Sequence, residues 1–116
     1  MASTDDELDR VFMALSDRTR RAMLKKLRSG PLTAGDLAAG VSLSQPTISK
    51  HLKVLEEAGL ISRHRDGTRI YGALAIDSLV RAAIYVSQFE EQMDATLDRL
   101  AAVAEHPHEE EAGETP

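Results

Sequence analysis

The chain has 116 residues, enough for one domain with a modest core of its own. It has no cysteine, which excludes disulfides and thiolate metal or redox chemistry, and no apolar run nears the ~18 residues of a membrane span. The formal net charge of −5 hides a strong division: residues 1–16 carry −3, residues 17–72 carry +6 and residues 73–116 carry −8. The start, MASTDDELDR, is acidic and has no apolar segment of the secretory kind, so the expected location is the cytoplasm.

Leu8, Val11, Phe12 and Leu15 predict a first short amphipathic helix. Ser16 or Asp17 is placed to cap a second, RTRRAMLKKLRSG, with Met23, Leu24 and Leu27 facing inward. Its other side carries Arg18, Arg20, Arg21, Lys25, Lys26 and Arg28, and Gly30-Pro31 ends it. Thr33-Ala34-Gly35-Asp36 has the form of a capping box with Asp in place of Glu, opening a short third helix through Leu37 and Ala38. Residues 40–43 make a tight connection to the next element.

Residues 42–72, SLSQPTISKHLKVLEEAGLISRHRDGTRIYG, are the most informative stretch. Ser44 is a good N-cap, and Pro46 falls in the first turn, where its missing N–H costs little. Ile48, Leu52 and Leu55 recur at i, i+4 and i+7, so one face is buried. The other face carries Gln45, Thr47, Ser49, Lys50 and Lys53. Such short polar arms reach base edges, and such cations meet phosphate. Gly59 supplies the left-handed conformation that stops a helix. Asp66-Gly67 between two short β-prone runs predicts a hairpin, with Arg65 and Arg69 at its tip and Arg63 and His64 just before. Two helices joined by a short Gly-containing turn, the second polar outside, form a helix-turn-helix, and the hairpin is its wing. The bland alternative for the hairpin is a solubilising surface loop.

The last helix is expected over residues 76–104, with Leu79, Ala83, Val86, Phe89, Met93, Leu97, Leu100 and Ala104 spaced by threes and fours. A stripe on the order of 40 Å long exceeds what a small core covers. Tyr85, Phe89, Met93, Leu97 and Leu100, with Leu8, Val11, Phe12 and Leu15 of the first helix, are therefore expected to meet a second subunit. A ligand pocket at Tyr85–Phe89–Met93 is the competing use. Residues 105–116, EHPHEEEAGETP, are too polar and acidic to fold and read as a disordered tail beyond a domain of residues 1–104.

In FMALSDRTRRAMLKKL, LSQPTISKHLKVLEEAGLI and RHRDGTRIYG the chain resembles the ArsR/SmtB family of bacterial winged-helix repressors, over roughly residues 7–104. The resemblance implies a mainly α fold of order α-α-α-α-β-β-α, dimerising through its first and last helices. It also implies a homodimer repressing transcription from a near-palindromic double-stranded operator. Gln45, Pro46, Thr47, Ser49 and Lys50 fall where that family contacts DNA, and Arg65 and Arg69 fall on its wing. Ser44, His51, Lys53 and Arg63 complete the candidate DNA-binding set, with the second-helix arginines expected on phosphates. The family's metal sensors carry a Cys-x-Cys where this chain has LTAGDLA, or Asp, His and Glu ligands on a final helix that here has no histidine. Glu90, Glu91, Asp94 and Asp98 alone make a poor transition-metal site. No metal or other cofactor is expected, and the effector is left open.

His106 and His108, beside Glu109, Glu110 and Glu111, are weak metal candidates in a terminal segment that lacks the order of a preformed site. His51 suits a hydrogen-bonding role at the edge of the core or a phosphate contact, and His64 would add charge to the wing when protonated. No nucleophile motif, phosphate loop or zinc-protease motif is present, so no enzyme is expected. The rival readings are a repressor responding to metal or ligand through His and carboxylates, and a winged helix that binds proteins.

Overall fold

Three of the helices begin where a side-chain oxygen meets an orphan N–H of the first turn. Asp17 Oδ2 accepts from the Arg20 N–H at 3.0 Å. Thr33 Oγ1 accepts from the Asp36 N–H while Asp36 accepts from the Thr33 N–H, both at 3.0 Å, completing the capping box. Ser44 Oγ accepts from the Thr47 N–H at 3.4 Å. The computed structural model describes residues 4–105. Its elements in order are α1 (Thr4–Leu15), α2 (Arg18–Leu27), β1 (Leu32–Thr33), α3 (Ala34–Ala38), α4 (Gln45–Glu57), β2 (Ile61–Asp66), β3 (Arg69–Leu74), α5 (Asp77–Ser87) and α6 (Glu90–Glu105). These residues fall into two units, one ending at Ala83 and the other starting at Ile84.

In the first unit, α4 buries Ile48, Leu52 and Leu55 against Val11, Ala14, Met23, Leu27 and Leu37. Leu60 and Ile61, where α4 passes into β2, close the same core. Burying side chains of this size contributes about 1.5–3 kcal/mol each. The exit from α4 needs Gly59, whose φ is +75°. A Cβ built there would stand 2.5 Å from Ser78 Oγ, so both the backbone and the neighbour demand glycine.

The wing is a hairpin closed by the Asp66–Arg69 pair. Its two loop residues are thus Gly67 and Thr68, not Asp66 and Gly67. Gly67 (φ +65°) holds a positive φ and Thr68 does not, the pattern of a type II′ turn. A third strand was not expected. β1 pairs antiparallel with β3, placing Leu32 opposite Gly72 and Thr33 opposite Tyr71, so the sheet order is β1-β3-β2.

Three further expectations are corrected. The single helix over residues 76–104 is two, α5 and α6. The Ser87 hydroxyl donates to the Ile84 carbonyl at 2.6 Å. The N–H groups of Gln88 and Phe89 reach back only three residues, to Tyr85 and Val86, before Met93 N–H to Phe89 O resumes the α pattern. Val11, expected at a subunit interface, is fully buried inside its own subunit. It packs among core residues and has no surface to offer a partner. Glu105, expected to head the tail, ends α6, and residues 106–116 with His106 and His108 lie outside the described residues. No helix among the described residues is long and apolar enough to cross a membrane.

Gly59→Ala is expected to destabilise the chain by more than about 1 kcal/mol in urea denaturation, through strain at positive φ and the collision with Ser78. Adding Ser78→Gly should recover only the steric part; full recovery would show that the backbone conformation contributes nothing.

Candidate nucleic-acid interface

α4 turns opposite chemistry to its two sides. Ile48, Leu52 and Leu55 are buried, whereas Ser44, Gln45, Pro46, Ser49, Lys50 and Lys53 are exposed and Thr47 is half-buried. The Thr47 hydroxyl lies 3.1 Å from Ser44 Oγ, so the cap and the first turn hold each other. Gln45 leans back over α3: a Cβ on Gly35 would be 3.3 Å from its side-chain nitrogen. Gly35 thereby leaves room for that amide.

The wing approaches the same end of α4. Gln45 and Arg69 line one polar hollow of about 450 Å³, with Thr33, Gly35, Asp36 and Thr68. The Asp36 carboxyl is held below its ordinary pKa of 3.8, first by the Thr33 N–H, then by the Thr33 hydroxyl, with a smaller contribution from the Arg69 charge. Gln45 and Arg69 were expected from sequence; Thr33, Gly35, Asp36 and Thr68 were not. Their helix-capping and turn signals carried no hint that they border the same hollow. Arg65 is exposed on β2, opposite Ile70. Arg63 is exposed but pairs with Glu56 at 3.3 Å. His64 Nε2 and Ser62 Oγ are hydrogen-bonded at 2.8 Å.

His51 is turned to the inside of the unit. Its Nδ1 lies 3.3 Å from an Arg20 guanidinium nitrogen and 4.0 Å from Asp17 Oδ2. Arg20 also donates to the carbonyls of Ala14 (2.7 Å) and Met13 (2.9 Å), and Arg21 donates to that of Leu15 (2.8 Å). These are the orphan carbonyls that end α1. Two of the second-helix arginines expected on phosphates therefore spend donors on closing α1. Lys26 likewise reaches the carbonyls of Leu37 (3.4 Å) and Ala39 (3.3 Å) at the end of α3. Arg18, Lys25 and Arg28 remain exposed on α2.

In the second unit, Tyr85, Phe89, Met93, Leu97 and Leu100 are all exposed; Leu97 and Leu100 retain 57% and 59% of their surface. The Tyr85 and Phe89 rings meet edge to face, 5.9 Å between centroids. In the first unit, Phe12 is exposed and Leu8 and Leu15 are half-buried. Among the described residues, no three His, Cys, Asp or Glu side chains gather as a metal site would require.

A capped helix with a polar, basic outer face, set behind a short helix and followed by a basic hairpin, defines a winged helix-turn-helix regulator. Residues 17–63 match the family model described as bacterial regulatory protein, arsR family. The chain is 48% identical over 67 residues to the transcriptional repressor SdpR of Bacillus subtilis, covering 58% of this chain and 74% of the relative. An ArsR-like transcriptional regulator from Rhodococcus sp. RHA1 superposes with a TM-score of 0.69 at 30% identity, over 89% of this chain and 97% of that one. A homodimeric winged helix-turn-helix DNA-binding domain from Mycobacterium bovis, a possible ArsR-family regulator, does so at 0.60 and 29%, over 73% and 81%. The chain belongs to the ArsR family of bacterial transcriptional regulators, whose relatives here are regulators and not enzymes.

The Asp17 carboxyl sits below its ordinary pKa of 3.8, chiefly because the Arg20 N–H donates to it, aided by the charges of Arg20 and His51. Depression means that the folded state prefers the carboxylate. The stabilisation is present above about 3.8 and is lost as pH falls through the lower folded value. Asp17→Asn keeps the cap oxygen, so acid titration of its stability should fall less steeply below pH 4 than that of the parent chain; parallel curves would contradict this role.

Proposed function

We propose that the chain is a homodimeric, sequence-specific repressor in which α4 of each subunit enters successive major grooves of a near-palindromic operator, about 34 Å apart. Gln45, Thr47 and Ser49 touch base edges. Lys50 and Lys53 hold phosphates, and Ser44 and Pro46 set the start of the helix against the backbone. Arg65 and Arg69 carry the wing onto the duplex, while Arg63 and His51, tied to Glu56 and Arg20, support the reading elements more than they contact DNA. Of the second-helix arginines, Arg18 and Arg28 are left exposed, and Arg18 meets phosphate in this reading. The observation that carries this reading is the hollow shared by Gln45 and Arg69, which joins the reading helix to the wing in one polar surface. The +6 of residues 17–72 supplies the matching field, against an acidic remainder.

Phe12, Tyr85, Phe89, Met93, Leu97 and Leu100 form the subunit contact in this reading, with Leu8 and Leu15 at its edge. Exposed apolar side chains in such number call for a cover, and the homodimeric state of the Mycobacterium bovis neighbour supports a second copy as that cover. The working domain runs to Glu105 at the end of α6, with the acidic residues 106–116 as a tail after it, acting in the cytoplasm.

Gln45→Ala should cost about 1–3 kcal/mol at one base position and relax specificity there, read from binding to a panel of single-base operator variants. Equal losses on specific and random duplexes would refute base reading by Gln45. Arg65→Ala and Arg69→Ala should each weaken all duplexes alike and reduce the salt slope by about one. Leu97→Asp should shift sedimentation from dimer to monomer with the fold intact by circular dichroism; an unchanged dimer would remove α6 from the interface.

A further inference from the structure

A second hollow, of about 300 Å³, lies away from the Gln45–Arg69 surface, between α2 and the β3–α5 junction. Its floor is apolar: Leu24 of α2, Leu60 and Leu74. Ile76 and Leu79 form an apolar lip, and Ile76 keeps 55% of its surface. Along one wall stand Arg21, Lys25 and Arg28, four and then three residues apart and so on one face of α2. No acidic residue lines the hollow. Arg21 gives one nitrogen to the Leu15 carbonyl, and a guanidinium retains further donors beyond it.

Like charges at one-turn spacing repel, and a row of three above an apolar floor is satisfied by an anion with an apolar body. We infer that this hollow binds an amphipathic anion, a carboxylate with a single hydrocarbon chain, its head on Lys25 and Arg28 and its chain over Leu60 and Leu74. The volume, at the low end for small-molecule pockets, is enough for one such chain. Another apolar hollow, about 330 Å³ between α2 and the α3–α4 turn, makes the contrast. Two cations line it, Arg18 and Lys26, and Lys26 already serves the Leu37 and Ala39 carbonyls, so no row of cations faces that hollow. An occupant of the Leu60 hollow would touch the residue directly after the Gly59 cap of α4, at the root of the wing.

The test is calorimetric titration of the full chain, without DNA, with decanoate kept below its micelle concentration. Saturable binding at one site per chain is expected. The Lys25→Gln/Arg28→Gln variant should bind about tenfold more weakly or worse, with its fold intact by circular dichroism in the absence of ligand. Acetate, a head without a chain, and decyltrimethylammonium, the same chain with a cationic head, should not bind at that site. Absence of saturable binding, equal binding of the cationic amphiphile, or indifference to the double variant would each overturn the proposal. Because no DNA is present, the result is independent of how α4 reads an operator.

Discussion

The Arg20 guanidinium is the contact on which the arrangement of the first unit turns. It closes the end of α1 through the Met13 and Ala14 carbonyls, sits beside the Asp17 cap that starts α2, and meets His51 on α4. One side chain thus ties the end of one helix and the start of the next to α4. Asp17 serves the same junction, since its carboxylate both caps α2 and faces His51. A planar group with five donors can do this; a lysine ammonium lacks the fork that serves three acceptors on two elements.

That junction divides the cations of the basic segment into two kinds. Arg20, Arg21 and Lys26 close helix ends, and Arg63 pairs with Glu56. Arg18, Lys25, Arg28, Lys50, Lys53, Arg65 and Arg69 stay exposed on α2 and its C-cap, α4 and the wing. Both kinds contribute to the local field, because charge acts at a distance whether or not its hydrogen bonds are taken. The exposed polar side of α4 is held in place by the buried side: Ile48, Leu52 and Leu55 fix its rotation, and Gly59 fixes where it stops.

How much of this was legible in the sequence follows the range of each interaction. The caps at Asp17, Thr33 and Ser44, the stop at Gly59 and the buried face of α4 are local, and all were readable from spacing and residue type. The family resemblance and the winged fold rest on those same local signals. Arg20 was misjudged because its partners lie on α1 and, 31 residues on, at His51. Strand β1 has two residues, too few for any period to show, and exists only because β3 offers it an edge. At the break between α5 and α6 the hydrogen bonding shortens locally and a serine hydroxyl returns to the backbone, while the apolar stripe runs through unchanged. Val11 was misplaced because periodicity finds an apolar face without saying what covers it. The hollow joining Gln45 to Arg69 needed both ends of the helix-to-wing passage in space.

The central claim is that α4 and the wing read DNA as one surface. Its most direct test is fluorescence anisotropy of the purified chain on its own upstream promoter duplex and on a scrambled duplex, over a salt series. The account predicts tight binding to the promoter alone, falling steeply and linearly in log–log form as salt rises. Equal, weak binding to both duplexes, with little dependence on salt, would contradict it.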